Sequence, residues 1–423
     1  MRRRAYLATA GVLSLAGCLG IGDSSDPDDE PTDDEPVDDD DDDSADREPE
    51  DDDDDDEETD VGPETYHDFE DLDQWEVIVG SLSADEDNYY TGSQSAVLEI
   101  DEGEQMANIA LELDEPEDLS NMNAGLAVMA ESVENPSIQL YDDDGDRVDV
   151  MCEVAPDMPF MRTNFGISNT NGDPDLSQIE EIQIAFDAAE DTTARLWIDD
   201  LHFVPRERPG LVMLQFDGGY EGHHSTALPL FETFDFPATA FVPTARIHED
   251  EAWHENRLSE DQVADLHDAG WTIASNGANG QNLTALSERT PEGEITNAIE
   301  WLEEHGYEDG ARFFSYPVGA YDQISLETVE EHHDVAFAGR YPCQGRAVHP
   351  HLCNRVVNPS VAQAETVLDR TAEYGGVTTL AYYRIDSDDR ERLADTLSHL
   401  NVLVQRNEVR VITPEQFADE HVY

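Results

Sequence analysis

Two different hydrophobic patterns divide the chain after its first sixty residues. Between about Thr65 and Arg206, short runs of alternating apolar and polar residues are separated by Gly, Asp and Asn. Alternation with a period of two is typical of strands with one buried face, and several such runs at this spacing predict an antiparallel β-sandwich. The clearest runs lie at 75–79, 95–100, 137–141 and 182–186.

From Pro209 onward, apolar runs alternate with helical patterns. The runs at 239–242, 271–274, 312–316 and 379–383 predict strands. Parallel strands that alternate with helices are typical of a β/α barrel. The pattern therefore predicts a multidomain protein, with a sandwich over residues 63–207 and a β/α barrel over residues 208–423.

Capping residues mark three helices between the barrel strands. Ser259 starts the first helix, Gln262 completes a capping box with it, and Gly270 ends the helix. Thr290 starts the second helix and Ser387 starts the third. Each is followed by apolar residues at helical spacing, which indicates one face packed on the barrel.

The length and net charge of the chain exclude some classes of function. The 423 residues exceed the usual size of one domain. They carry a formal net charge of −78, with 100 acidic residues and 22 basic residues, all of them arginine. A field of this sign repels nucleic acid, which excludes a nucleic-acid-binding role. An acidic protein without lysine is typical of adaptation to high salt, where screening weakens self-repulsion, so a halophilic source is predicted.

The N-terminus carries an export pattern and a spacer. Arg3 and Arg4 precede an apolar segment at 7–19 that is too short to span a membrane as a permanent helix. The pattern resembles a Tat signal, and the residues before Cys18 resemble a lipobox. Residues 1–18 are thus predicted to be a lipoprotein signal, with lipidated Cys18 anchoring the protein on the outer face of the cytoplasmic membrane. Residues 19–62, mostly Asp and Glu, are predicted to be a disordered linker.

The predicted sandwich resembles the jelly-roll carbohydrate-binding modules. The resemblance lies in the opening at 68–71, the turn at 90–95 and the closing strand at 196–201. In those modules, acidic residues on the first and last strands often hold a structural calcium, which hard oxygen ligands suit. The resemblance therefore implies Glu70 and Asp200 as calcium ligands. The alternative is that both are ordinary surface carboxylates.

Residues 211–220 read LVMLQFDGGY, an apolar strand that ends at Asp217 before a Gly-Gly turn. They resemble the first motif of the polysaccharide deacetylases, the NodB-homology family, which usually reads TFDDG. The resemblance implies a distorted β/α barrel that hydrolyses acetyl groups from N-acetylated sugars with zinc. In the family the first Asp is the base and the second is a metal ligand. Asp217 stands at the position of the base, and Gly218 stands at the ligand position.

The family's second motif, S-H-x-x-x-H, supplies two histidine ligands. In the corresponding loop, Ser275 is followed by Asn276 and Gly280 at the two histidine positions. Glycine has no side chain, and an Asn amide is a poor zinc ligand beside imidazole. All three metal-ligand positions are therefore substituted, and the family's zinc-dependent reaction is expected to be impaired.

Two further motifs resemble the family. The segment YPVGAY resembles its Y-P-x-G-x-Y form and implies substrate-groove roles for Tyr316, Pro317, Gly319 and Tyr321. Tyr383 stands where the family has its general-acid histidine, and a phenol with a pKa near 10 is a weak substitute near neutral pH. The resemblance also implies that Arg355 orients Asp217.

Other histidines and cysteines leave alternatives open. Four lie within eleven residues: Cys343, His349, His351 and Cys353. They could form a closed zinc site, the two cysteines could form a disulfide outside the cytoplasm, or the residues could be unlinked. His223 and His224, just beyond the Gly-Gly turn, are expected to be solvated.

Three functions are consistent with these patterns. The protein could deacetylate an extracellular or cell-surface polysaccharide, bind such a polysaccharide without turnover, or act as a structural surface lipoprotein. Tyr316, Tyr321 and Tyr383 offer aromatic faces on which sugar rings stack. We expect glycan association by a protein in which the ordinary zinc route is impaired.

Overall fold

The computed structural model describes residues 62–132, 134–187, 194–248, 256–286, 290–341 and 343–423. These residues belong to one compact unit, Thr59–Tyr423. The predicted signal, Cys18 and the acidic linker up to residue 61 lie outside the described residues. Within the described ranges, no helix combines the length and the apolar character that a membrane crossing needs.

Two antiparallel sheets make up the N-terminal part. Their strands are β1 (Thr65–His67), β2 (Glu76–Val79), β3 (Ser81–Asp85), β4 (Ser95–Glu99), β5 (Met106–Glu117), β6 (Met122–Ala130), β7 (Ser137–Asp142), β8 (Arg147–Met151), β9 (Met161–Arg162), β10 (Gly166–Asn171), β11 (Ile179–Asp187) and β12 (Arg195–Pro205). One sheet has the order β3-β4-β12-β6-β9, with β1 also on β12, and the other runs β2-β5-β11-β7-β8-β10. Alternate side chains such as Leu98, Ile138 and Ile184 form a shared core, as the period of two predicts. The resemblance to jelly-roll modules stays a prediction.

The C-terminal part alternates strands and helices. Its elements are β13 (Gly210–Asp217), α1 (Leu228–Phe234), β14 (Thr239–Val242), α2 (Glu260–Asp268), β15 (Thr272–Ser275), α3 (Pro291–Glu304), β16 (Phe313–Ser315), α4 (Gln323–His332), β17 (Val335–Phe337), β18 (Cys343–Gln344), β19 (Val356–Val357), α5 (Val361–Tyr374), β20 (Val377–Tyr382), α6 (Arg390–Gln405), β21 (Val409–Val411) and α7 (Pro414–Glu420). Short 3-10 turns lie at Leu72–Gln74, Thr244–Arg246, Leu283–Ala285, Gly310–Arg312, Pro317–Gly319 and Pro350–Leu352, and a π-helical turn at His223–Ala227 leads into α1.

The parallel strands close into a barrel. They follow the order β17-β16-β15-β14-β13-β20, with β19 on the other edge of β20. Phe337 of β17 forms a parallel bridge with Cys353, which lies three residues before β19. The segment from Cys353 to β19 therefore connects the two ends of the sheet. The carboxyl ends of these strands form one end of the barrel, which we call the barrel mouth.

The short strand β18 joins the two parts. Cys343 pairs with Thr378 of β20, and Gln344 pairs with Gly166 of β10, both in antiparallel register. Asn164 adds side-chain contacts, because its Nδ2 donates to the carbonyl of His349 at 2.7 Å. One sheet therefore continues from the sandwich into the barrel, and the segment after β18 is held against both.

The helix caps agree in part with the sequence analysis. The Ser259 hydroxyl accepts from the amide of Gln262, and the Gln262 side chain accepts from the amide of Ser259, so the capping box is confirmed. The prediction for Ser387 is wrong, since α6 begins after Asp389 with no side-chain cap. The Asp386 amide donates to the Asp389 carboxylate at 3.2 Å, which keeps the chain in a turn for two further residues.

Candidate functional site

Asp217, Ser315 and Arg355 form a closed polar network at the barrel mouth. Asp217 ends β13 and is 1% exposed. Its carboxylate accepts from the Ser315 hydroxyl at 2.8 Å and from Nη1 of Arg355 at 2.9 and 3.1 Å. The same Nη1 donates to the Ser315 hydroxyl at 2.9 Å. The structure thus brings together Asp217 and Arg355, with Ser315 as a third member that the sequence analysis missed.

A pocket of about 450 Å³ lies beside this network. Its lining includes Gly319, Arg340, Arg355 and Tyr383. Nε and Nη2 of Arg355 have no hydrogen-bond partner among the described residues. Burial and the nearby charge of Asp217 raise the pKa of the Tyr383 phenol. The phenol therefore stays protonated near neutral pH, where it can donate a hydrogen bond but is a weak general acid.

Other side chains crowd the first ligand position. Gly218 has φ of +92°, and a Cβ atom there would lie 2.8 Å from Cε2 of Tyr220 and 3.3 Å from Nη1 of Arg257. The Arg257 Nη1 also donates a hydrogen bond to the carbonyl of Gly218. An aromatic ring and a guanidinium therefore fill the space into which a ligand side chain would project, and the positive charge would repel a divalent cation.

Two guanidinium groups contact the ring of Tyr220. The Arg257 guanidinium lies 4.0 Å from the ring centroid, and the Arg384 guanidinium lies 5.0 Å from it. Such cation–π contacts stabilise the position of the ring. A second pocket of about 320 Å³ is lined by Tyr220, Arg384 and Asp386, among others. Hydrogen-bond donors of arginine therefore border the mouth on this side as well.

The second motif loop is occupied by its own hydrogen bonds. Nδ2 of Asn276 donates to the carbonyl of Ser315 at 2.8 Å, which commits Asn276 to supporting the Asp217 network. Gly280 has φ of +60°, and a Cβ atom there would lie 3.0 Å from Cβ of Pro243. The Glu294 carboxylate anchors the loop by accepting from the amide and the side chain of Asn279. The residues at positions 218, 276 and 280 therefore do not fit the family's zinc.

The prediction that Tyr316 faces the groove is wrong. Its side chain is fully buried, and its ring packs edge-on against Phe314, with centroids 5.2 Å apart. Pro317 is buried as well, and Tyr321 packs on Tyr316 with centroids 5.8 Å apart. Of the four groove residues that the motif implied, Gly319 lines the 450 Å³ pocket. Tyr316 is a core residue and cannot stack on a sugar.

His223 has a structural role that the sequence analysis missed. It is fully buried, and its Nε2 donates to the carbonyl of Tyr383 at 2.5 Å, which links the turn after β13 to the end of β20. Burial lowers the pKa of His223 from 6.5 to about 4, so the ring is neutral at pH 7. Its expected solvation is wrong, whereas His224 is part exposed and pairs with Asp265 at 2.9 Å.

The described cysteines are free and buried, so the disulfide between Cys343 and Cys353 does not form. The Cys343 thiol donates to the carbonyl of Gly375 at 3.1 Å, and the Cys353 thiol donates to the carbonyl of Pro350 at 3.2 Å. Burial raises the pKa of Cys343 and raises that of Cys353 to about 12, which disfavours the thiolates that zinc requires.

The two histidines of the same segment have a different neighbour. His349 and His351 approach Glu330 of α4, and the ligand atoms of all three lie within 4.8 Å of one another. The two cysteines are not members of this group. The sequence analysis missed Glu330, because nothing local distinguishes it from the other two glutamates of α4.

The calcium candidates of the sandwich have protein partners. The Glu70 carboxylate accepts from the amide and the hydroxyl of Ser93 and from the amide of Gln94. The buried Asp200 carboxylate is paired with Arg162, with Nε to Oδ2 at 2.6 Å. Hydrogen bonds to these groups lower the pKa of Glu70 and bring that of Asp200 to about 2. The predicted calcium site stays a prediction.

Comparison with known proteins supports the resemblance for part of the barrel. Residues 205–334 match the model of the polysaccharide deacetylase family. No curated protein matches this chain. Among solved structures, a family 4 carbohydrate esterase from Streptomyces lividans is similar at 14% identity, over 49% of this chain and 94% of that chain, with a TM-score of 0.34.

Two further solved structures are similar. A family 4 carbohydrate esterase from Bacillus anthracis shares 16% identity over 51% of this chain and 85% of that chain, with a TM-score of 0.36. An exo-beta-agarase shares 13% identity over 34% of this chain, with a TM-score of 0.29, and there the match spans only 25% of the other chain. The segment at 205–334, which contains Asp217 and Ser315, therefore carries the family likeness.

Proposed function

We propose that the protein is a surface-anchored polysaccharide deacetylase homologue that binds an extracellular glycan at its barrel mouth without the family's zinc-dependent hydrolysis. The proposal rests on the first metal-ligand position, Gly218, which is crowded by two other side chains. Tyr220 and Arg257 occupy the space beside Gly218. A base at Asp217 without a metal-bound water beside it lacks the nucleophile that the family's reaction needs.

The polar groups of the mouth support glycan binding. Two pockets, of about 450 and 320 Å³, are bordered by Arg340, Tyr383 and Arg384. Arginine presents five N–H donors in a fixed fork, and the protonated Tyr383 phenol adds a donor. Sugar hydroxyls accept such hydrogen bonds, and a pocket with a few convergent donors is typical of a small-ligand or sugar site.

The proposed location follows from the N-terminal sequence. The Tat-like arginines, the lipobox before Cys18 and the acidic linker at 19–62 support export in a folded state and anchoring to the outer face of the cytoplasmic membrane. A linker extended by its own charge would hold the folded part away from the lipid surface. The partner is then a polysaccharide of the cell surface or of the surrounding medium.

The proposal is tested by binding and turnover on the same samples. Full-length protein in high salt is mixed with insoluble N-acetylated polysaccharides, and the bound fraction and the released acetate are measured. We expect the protein to bind polysaccharide, and we expect Arg340→Gln to weaken this binding because Arg340 lines the 450 Å³ pocket. Arg406→Gln is the matched control, because Arg406 is an exposed arginine at the end of α6. Equal binding by both variants would contradict the proposal.

A further inference from the structure

We propose that Glu330, His349 and His351 bind a divalent metal ion of the zinc class at a site distinct from the family's ligand positions. Their ligand atoms lie within 4.8 Å of one another, and Nε2 of His349 is 3.8 Å from Oε1 of Glu330. In a tetrahedral zinc site with bonds of about 2.0–2.2 Å, donor atoms lie roughly 3.3 Å apart. Small side-chain movements would therefore close the site.

The donor set suits the metal. Two imidazoles and one carboxylate form one of the ligand combinations that proteins use for zinc, with a fourth position left for solvent. The thiol of Cys353, although near in sequence, donates to the carbonyl of Pro350 and points to another partner. The site therefore uses His349 and His351, but with a carboxylate in place of the cysteines.

A hydrogen bond to the backbone fixes the ring and the tautomer of His351. Its Nε2 is 2.7 Å from the carbonyl of His333. A carbonyl only accepts, so this nitrogen carries the proton and Nδ1 keeps its lone pair. Metal-binding histidines commonly donate their other N–H to a backbone carbonyl in this way, which fixes the tautomer and the ring.

The two ring nitrogens of His349 have different surroundings. His349 is 9% exposed, and its Nδ1 has no partner among the described residues. Its Nε2 faces Glu330 across 3.8 Å, which is too long for a hydrogen bond. A metal ion between His349 and Glu330 would therefore be bound through Nε2, the ring nitrogen that faces the carboxylate.

A metal ion at this site would cross-link α4 to the segment that contains His349 and His351. Glu330 lies on α4. His349 directly precedes the 3-10 turn Pro350–Leu352, and His351 lies within it. Asn164 of the sandwich bonds both the amide and the carbonyl of His349. A bound ion would tie α4 to a segment that also contacts the sandwich, so we infer that it stabilises the junction of the two parts.

The test is metal binding by the full chain in high salt, after removal of metal with a chelator. Zinc content and the absorption of bound Co²⁺ are measured for the wild type, Glu330→Gln, His351→Gln, Asp217→Asn and the control Glu331→Gln. Glu331 is exposed on the same helix and its substitution removes the same charge. The acidic linker is common to all samples, so differences between them report this cluster.

We expect one tightly bound ion per chain and a higher melting temperature with zinc. Glu330→Gln and His351→Gln should bind at least about tenfold more weakly, since even the loss of a supporting partner costs about 10–100-fold. Glu331→Gln and Asp217→Asn should bind as the wild type does. Circular dichroism of the metal-free variants checks that they are folded. The proposal would be overturned if all variants bound the metal equally or if the wild type bound no metal tightly. It would also be overturned if only Asp217→Asn lost metal binding.

Discussion

The Asp217–Arg355 pair allows a quantitative test of how the barrel mouth is built. Arg355→Met removes the guanidinium and leaves a carboxylate that is 1% exposed with the Ser315 hydroxyl as its remaining side-chain donor. Breaking a buried ion pair by removal of one partner costs about 3–5 kcal/mol, because the other charge stays buried and unpaired. We therefore expect Arg355→Met to lower the free energy of unfolding by about 3–5 kcal/mol.

The assay is a double-mutant cycle in urea, which leaves the ionic strength of a high-salt buffer unchanged. Unfolding is followed by tryptophan fluorescence, since Trp271 packs against Phe216 of β13. Asp217→Leu should also be costly, whereas the double substitution Asp217→Leu with Arg355→Met should cost much less than the sum of the two, because it leaves no unpaired charge.

A surface pair supplies the control. Arg312 and Asp334 are 2.7 Å apart, but their side chains are 37% and 54% exposed. Exposed pairs contribute about 0–1 kcal/mol, so Arg312→Met should have a small effect. If Arg355→Met costs no more than Arg312→Met, or if the two substitutions at the mouth are additive, then burial does not make the Asp217–Arg355 pair stronger than an exposed pair.

Three further predictions concern buried groups. The pKa of His223 falls from 6.5 to about 4 on folding, so the unfolded chain gains the proton first and stability is lost as pH falls through this window. The free energy of unfolding, measured in urea, should therefore be higher at pH 7 than at pH 5, and His223→Gln should reduce this difference by about 2 kcal/mol. An unchanged difference would contradict the lowered pKa of His223. Tyr316→Phe removes a buried hydroxyl that has no partner among the described residues, so unfolding free energy and glycan binding should not fall. Weaker glycan binding by Tyr316→Phe would indicate that Tyr316 contacts the glycan. Alkylation under non-reducing conditions should modify Cys152, Cys343 and Cys353 only after unfolding, and a disulfide-linked peptide would contradict the free thiols.

Much of the fold could be predicted from local patterns. The strand at Thr239–Val242 and the capping box of Ser259 follow from apolar runs and caps that neighbouring residues determine. The position of Asp217 at a strand end follows in the same way. These features depend on chemistry within a few residues, which the sequence displays directly.

The details of the site depend on contacts between distant residues. Arg257 lies 39 residues after the carbonyl of Gly218 that it contacts, and no local pattern connects the two. In the sequence, Glu330 is one of several acidic residues on α4. Only the folded structure shows that it lies beside His349. Tyr316 follows a groove motif in sequence, but its side chain points into the core because Phe314 and α4 cover it.

We propose that the barrel mouth retains Asp217 but does not carry out the family's metal-dependent reaction. The decisive measurement is acetate release from N-acetylated polysaccharides, with zinc added in high salt, by the wild type and Asp217→Asn. We predict that the wild type binds polysaccharide and releases no more acetate than Asp217→Asn does. Zinc-dependent acetate release that Asp217→Asn abolishes would instead show that the protein is an active, metal-dependent deacetylase.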